Sequence, residues 1–290
     1  MSTCVWNIAA ALGEGCLYSP EDGPKGSAVW LVDILGRKLH RFDPTAGNGQ
    51  SWDCPSPPGF ILRGSRGWIV GLEHGLHRFD PTDGTFSPIV AVEADRPQNR
   101  LNDGTVGPDG AIWFGSKVEN EDDTSGACYR WPGAGEPVRL DDGYVVTNGP
   151  AFSPDGKTLY HSDSVNRRVL ARDVHPDGSV GPNRLFTEIA EGDGYPDGLA
   201  IDREGCLWVA LWAGSGVRRY SPAGERLGHF PVGARNVTKP AFGGADGRTL
   251  YLTSARCGMS DAELTLAPDS GGLFALSVDV GGDAVPVFQG

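Results

Sequence analysis

The chain has 290 residues, 43 of them Gly and 22 Pro, with 37 acidic against 25 basic side chains and a net charge of −12. Nucleic acid and anionic membranes both need a basic footprint, so the charge argues against either partner. No run of about 18 apolar residues offers a membrane span, and the first basic residue is Lys25, too late for the charged start of a signal peptide. A single soluble, cytoplasmic domain over residues 1–290 is expected, since all-β domains outgrow the usual domain length. Its six cysteines contain no Cys-x-x-Cys pair, so a thiolate zinc site is not indicated and buried free thiols are expected.

Taken in order, Cys4 to Ile8 reads as a short strand placed before any repeat. Gly13-Glu14-Gly15-Cys16-Leu17-Tyr18 opens the first repeat, followed by a long turn (Pro20 to Ser27) and the strand Val29 to Asp33. Arg37 to Phe42, closed by Asp43-Pro44-Thr45-Ala46-Gly47, predicts a hairpin through its Pro and Gly turn chemistry. A ten-residue unit then recurs. Pro58 to Gly67, Leu101 to Gly110, Thr147 to Gly156, Pro196 to Gly205 and Thr238 to Gly247 each end in a turn glycine and lead into a strand carrying an aromatic. The six aromatics, Trp30, Trp68, Trp113, Tyr160, Trp208 and Tyr251, are spaced by 38, 45, 47, 48 and 43 residues. A period in the forties with several short strands per unit predicts an all-β, six-bladed β-propeller with four-stranded antiparallel blades around a central channel. The early strand at Cys4 would then complete the last blade. Lys117 to Ser125 reads as a polar, acidic loop insertion, and Met259 to Ser270 as a surface loop with room for one helical turn.

The second place of the repeat carries Glu14, Gly59, Asn102, Asn148, Asp197 and Lys239. Inner strands of a propeller line its channel, so these positions form a ring at one level. Four oxygen-bearing side chains there, without His or Cys, suit a hard divalent cation or a borderline one completed by water. Lys239 shares that level and is expected to meet a substrate carbonyl or a product carboxylate. No Gly-x-Ser-x-Gly elbow, phosphate loop or dinucleotide fingerprint occurs, and the six histidines are scattered.

The segments Gly13-Glu14-Gly15, Arg100-Leu101-Asn102-Asp103-Gly104, Thr147-Asn148-Gly149-Pro150 and Pro196-Asp197-Gly198 closely resemble the senescence marker protein (regucalcin)/gluconolactonase family, across nearly the whole chain. Asn236 to Pro240 and Ala210-Leu211-Trp212 are most similar to its bacterial sugar-acid lactonases, including xylonolactonases. The resemblance implies one divalent metal (calcium, zinc, iron(II) or manganese) held by Glu14, Asn148 and Asp197. It also implies Arg100 and Asn102 as substrate-binding residues, an acidic substrate contact at Glu119, and Asp197 as base in hydrolysis of xylono-, arabino- or gluconolactone. Cys16 stands where that family usually has proline. Two alternatives stay open: a calcium-dependent phosphotriesterase or arylesterase on the same propeller, and a non-catalytic scaffold. The expected partner is a small sugar lactone, and the expected state a monomer.

Overall fold

The computed structural model describes residues 1–22 and 26–290; part of the long turn read at Pro20 to Ser27 therefore lies outside the described residues. Six four-stranded antiparallel sheets are formed, each a run of consecutive strands except the last. The innermost strands are β2 (Gly13–Ser19), β6 (Pro58–Gly64), β10 (Asn99–Val106), β14 (Thr147–Phe152), β18 (Tyr195–Ile201) and β22 (Asn236–Gly243). Each of these packs on the next, and β22 packs back on β2, which closes a ring around a channel. In the sixth sheet β22, β23 (Thr249–Ala255) and β24 (Leu273–Ser277) are completed by β1 (Thr3–Trp6). Pairing of Thr3 with Ala275 and Cys4 with Phe274 joins the two ends of the chain and gives the sixth blade its fourth, outermost strand.

The repeated aromatics explain why the blades stack. Trp30, Trp113 and Trp208 are fully buried between neighbouring sheets, each ring contributing on the order of 3 kcal/mol by removal from water. Two of them also use the turn of the ten-residue unit: Trp113 Nε1 donates to Asp109 Oδ1 at 3.0 Å and Trp208 Nε1 to Asp202 Oδ2 at 2.9 Å. The same carboxylates accept backbone amides of their own turns, Ala111 on Asp109 and Cys206 on Asp202. The turn and the strand that follows it are thus fixed by one side chain.

Outer strands are β5 (Asn48–Asp53), β9 (Thr85–Ala91), β13 (Val138–Tyr144), β17 (Arg184–Glu188) and β21 (Arg226–Pro231), mostly exposed along their length. A six-residue helix, α1 (Asp261–Leu266), is capped by Ser260 and Glu263 in a reciprocal box. The segment read as an insertion from Lys117 starts later than its polarity suggested. Strand β11 (Ile112–Val118) continues through Lys117 and Val118, because Lys117 pairs with Arg100 on one side and bridges Val146 on the other. Cysteine burial is also less uniform than expected: Cys16, Cys54, Cys128 and Cys206 are buried, whereas Cys4 and Cys257 are half-buried, and all six are free thiols. No helix among the described residues is long and apolar enough to cross a membrane.

Candidate functional site in the propeller channel

The six ring positions are set by the same local device. In every blade the pairing of the innermost strand with the second slips at or around the ring residue: Glu14/Leu17, Pro58/Phe60, Leu101/Gly104, Asn148/Ala151, Pro196/Leu199 and Val237/Pro240. A bulge interrupts the strict alternation of faces and re-aims a side chain, here at a matching register around the channel. Blade two contributes no side chain. A Cβ on Gly59 would stand 2.5 Å from the carbonyl oxygen of Asn102, so the ring closes there by backbone contact.

Glu14, Asn102, Asn148 and Asp197 line a cavity of about 520 Å³ at the mouth formed by the N-terminal ends of the inner strands, together with Arg100, Lys117, Glu119, Glu121, Trp212 and Cys257. Asn102 donates through Nδ2 to Asn148 Oδ1 at 2.6 Å and to the Thr147 carbonyl at 2.8 Å. Asn148 Nδ2 in turn donates to Ser164 Oγ at 3.0 Å, which fixes the direction of its amide oxygen. Arg100 is 4% exposed; its Nη1 donates to Asn102 Oδ1 at 2.6 Å and its Nε to Glu119 Oε2 at 2.7 Å. The four side chains Glu119, Arg100, Asn102 and Asn148 therefore form one continuous row from the rim to the channel.

On the other side of the ring Glu14 and Asp197 are close enough for the charge of Glu14 to act on the Asp197 carboxyl. Burial raises Glu14 to about 8, with the charge of Asp103 adding to it and Lys239 opposing. Burial likewise lifts Asp197 well above the usual carboxylate range, helped by Glu14 and Asp103. Two such carboxyls side by side cannot both ionise without a counter-charge. Asp197 Oδ1 has no hydrogen-bond partner although it is buried, a costly arrangement for an acceptor. An unpartnered carboxylate oxygen, a second carboxylate and an oriented amide oxygen are together the donor set of a hard divalent cation, and Glu14, Asn148 and Asp197 fit one. Among the described residues no three His, Cys, Asp or Glu side chains form a metal cluster; the ring offers two carboxylates and completes its set with amides.

Sequence reasoning missed three residues here. Asp103, beside Asn102, accepts the Lys239 ammonium at 2.6 Å, and Lys239 also donates to the Gly149 carbonyl at 3.2 Å. Lys239 is thus engaged inside the ring and lines the opposite mouth of the channel rather than the cavity described above. Room for its stem depends on Gly198, where a Cβ would meet Lys239 Cδ at 2.4 Å. Cys257 borders the cavity, but burial and the charges of Glu14, Asp33 and Asp197 push its thiol up to about 11, so it stays protonated and is no nucleophile. Lys117 is the third, and its ammonium pairs with Glu121 at 2.7 Å. The acidic run had drawn attention away from it.

In this propeller, closed by its first strand, carboxylates and amides converge at one mouth of the channel beneath an open cavity, which makes the channel and not the rim the candidate site. The chain belongs to the SMP-30/gluconolactonase/LRE-like family, whose model matches residues 12–256. It is 36% identical over 289 residues to the 6-deoxy-6-sulfogluconolactonase of Pseudomonas putida, covering 99% of this chain and 98% of that one. It is also 36% identical to the L-arabinolactonase of Azospirillum brasilense, covering 100% and 96%. Among solved structures, the calcium-binding protein regucalcin from Agrobacterium tumefaciens superposes with a TM-score of 0.94 at 28% identity, covering 100% of this chain and 97% of that one.

Proposed function

We propose that this chain hydrolyses sugar lactones to the free aldonic acids in a metal-dependent reaction at the channel mouth. As a member of this family it is a carboxylic ester hydrolase of the sugar-lactonase type. The observation that carries the metal dependence is the buried, unpartnered Asp197 Oδ1 beside Glu14. A divalent cation held by Glu14, Asn148 and Asp197 would supply Lewis acidity toward the lactone carbonyl oxygen.

The chain's own residues do the rest. With its charge compensated, Asp197 is ionised at neutral pH and accepts a proton from the attacking water. Arg100 presents a planar fork of donors whose direction is set by Glu119 and Asn102, which suits the hydroxyls and ring oxygen of a sugar. Asn102, itself anchored on the Thr147 carbonyl, holds Asn148 and the substrate body in one register, so that the reacting carbon is presented to the ring and not to the rim. Glu119 is half exposed and free to accept from a sugar hydroxyl. No activated serine or thiolate is needed, since water is the nucleophile.

The test is a panel of xylono-, arabino-, galactono- and gluconolactones, followed by acid release, with the protein stripped by chelator and then reloaded with calcium, zinc, iron(II) or manganese. Hydrolysis that disappears on stripping and returns with one or more of these ions is expected. Turnover that is indifferent to stripping would overturn the metal-dependent reading.

A further inference from the structure

Arg100 and Lys117 are directly opposed in the β10–β11 pair, so two cationic side chains rise side by side from neighbouring strands into one cavity. The Arg100 side chain is 4% exposed and that of Lys117 11%, and each is covered by one half-exposed glutamate from the strand end and loop that follow, Glu119 on Arg100 and Glu121 on Lys117. Beyond that symmetry they differ. Arg100 spends two further hydrogen bonds on Leu101 and Asn102 and so belongs to the row that reaches the ring. Among the described residues Lys117 makes a single side-chain hydrogen bond, to Glu121, and an ammonium has three donors.

An ammonium that lines a cavity with two donors to spare can take a further anionic partner there. Its backbone cannot retreat, because it is paired on both sides, with Arg100 and with Val146. Glu121 is the movable member of the pair: it stands on a turn outside the strand, its φ of 56° is in the left-handed region, and an exposed partner of this kind contributes little to an ion pair. Lys117 stands opposite Arg100 on the second strand, one strand farther from the channel than Arg100 itself. A lactone whose carbonyl is at the ring and whose body lies on Arg100 and Asn102 would have Lys117 within the same cavity for a group on its remote carbon.

Building on the lactonase reading, we propose that Lys117 is a specificity residue that recognises an anionic group, a carboxylate, sulfonate or phosphate, on the terminal carbon of the sugar lactone, with Glu121 holding the place until substrate enters. The substrate class is then lactones of charged sugar acids in preference to neutral ones. Loss of the Glu121 pair on binding is offset by a charge-assisted hydrogen bond formed away from bulk water.

The test compares kcat/KM for glucono-1,5-lactone with that for its 6-phosphate and its 6-deoxy-6-sulfo analogue, in metal-loaded wild type, Lys117→Met, Lys117→Arg and Glu121→Gln. Melting temperatures of all four check the fold. The wild type is expected to favour the anionic lactones. Lys117→Met should lower the anionic-to-neutral ratio by about ten- to a hundredfold, the scale of one charge-assisted hydrogen bond, mostly through KM. Lys117→Arg should keep most of the preference, and Glu121→Gln should raise it by removing the competing carboxylate. Calorimetric binding of 6-phosphogluconate against gluconate gives the same ratio without turnover. An unchanged ratio in Lys117→Met, or a fall in Glu121→Gln, overturns this proposal alone; a wild type that opens none of these lactones overturns the lactonase reading and this one with it.

Discussion

The Lys239 ammonium donates to Asp103 Oδ2 across 2.6 Å, tying the inner strand of the sixth blade to that of the third across the channel. Both side chains are buried. Removing one partner of such a pair strands the other charge in a poor dielectric, which costs about 3 kcal/mol or more. Lys239→Met is therefore expected to lower unfolding stability by about that amount, read from urea denaturation, and Asp103→Asn combined with Lys239→Met to restore most of it. A doubly substituted protein that regains stability and turns over at the wild-type kcat would give Lys239 a structural role, against the substrate contact that its ring position suggested.

Asp197→Asn separates metal binding from folding. Without a cation, the raised carboxyls of Glu14 and Asp197 carry protons in the folded protein that the unfolded chain has given up. For Glu14 the window runs from about 4.5 to about 8; across it the native state binds more protons than the unfolded one, so stability falls as pH rises. The cation-free wild type should lose melting temperature between pH 5 and 8. Asp197→Asn should show a shallower loss, because it removes one charge of the pair. It should also show no rise in melting temperature on adding divalent cation, whereas the wild type rises, and it should retain no stoichiometric metal by elemental analysis. A variant that keeps its metal would remove Asp197 from the ligand set.

Arg100→Ala tests the row from rim to ring. Its guanidinium touches Glu119 and Asn102 but neither Glu14 nor Asp197 by hydrogen bond, so metal content should hold while KM rises about tenfold or more, the scale of a lost charge-assisted contact. A fall in kcat at constant KM would instead mean that Arg100 acts only on the transition state.

The six blades were legible because two signals repeat with the fold: the turn unit with its Asp and Gly, and the aromatic on the second strand, as Asp202 with Trp208 shows. The outer strands were not, since Asn48–Asp53 and Arg184–Glu188 carry mostly polar residues on exposed backbone and their register comes from the neighbouring strand alone. Within the site, the residues at one repeat position were readable as a ring. Asp103 was hidden by its adjacency to Asn102: a bulge between Leu101 and Gly104 sends consecutive residues to partners that strict alternation would keep apart. Lys117 was hidden for a different reason. Whether a lysine ends a buried strand or begins an acidic loop depends on pairing to Val146, a contact that local composition does not encode.

Burial, reinforced by the charge of Arg172 and opposed by Asp141, lowers His161 to about 4. The ring lies 3.1 Å from the Tyr144 hydroxyl, and that hydroxyl donates to Asp141 Oδ2 at 2.7 Å and accepts from Asn183 at 2.8 Å, so a network joins the third and fourth blades. His40 is also lowered to about 4 by burial. In the unfolded chain a histidine takes up its proton near 6.5, in the folded protein only near 4, so the unfolded state binds more protons throughout that interval and stability falls as pH is lowered through it. One such group contributes roughly 3 kcal/mol to the total change. His161→Asn keeps a polar side chain but does not titrate there; the stability difference between wild type and variant, from urea denaturation at several pH values, should narrow or reverse between pH 6.5 and 4 and stay constant above pH 7. A difference that is flat over the whole range would mean that His161 is protonated in the folded protein at the same pH as in the unfolded chain.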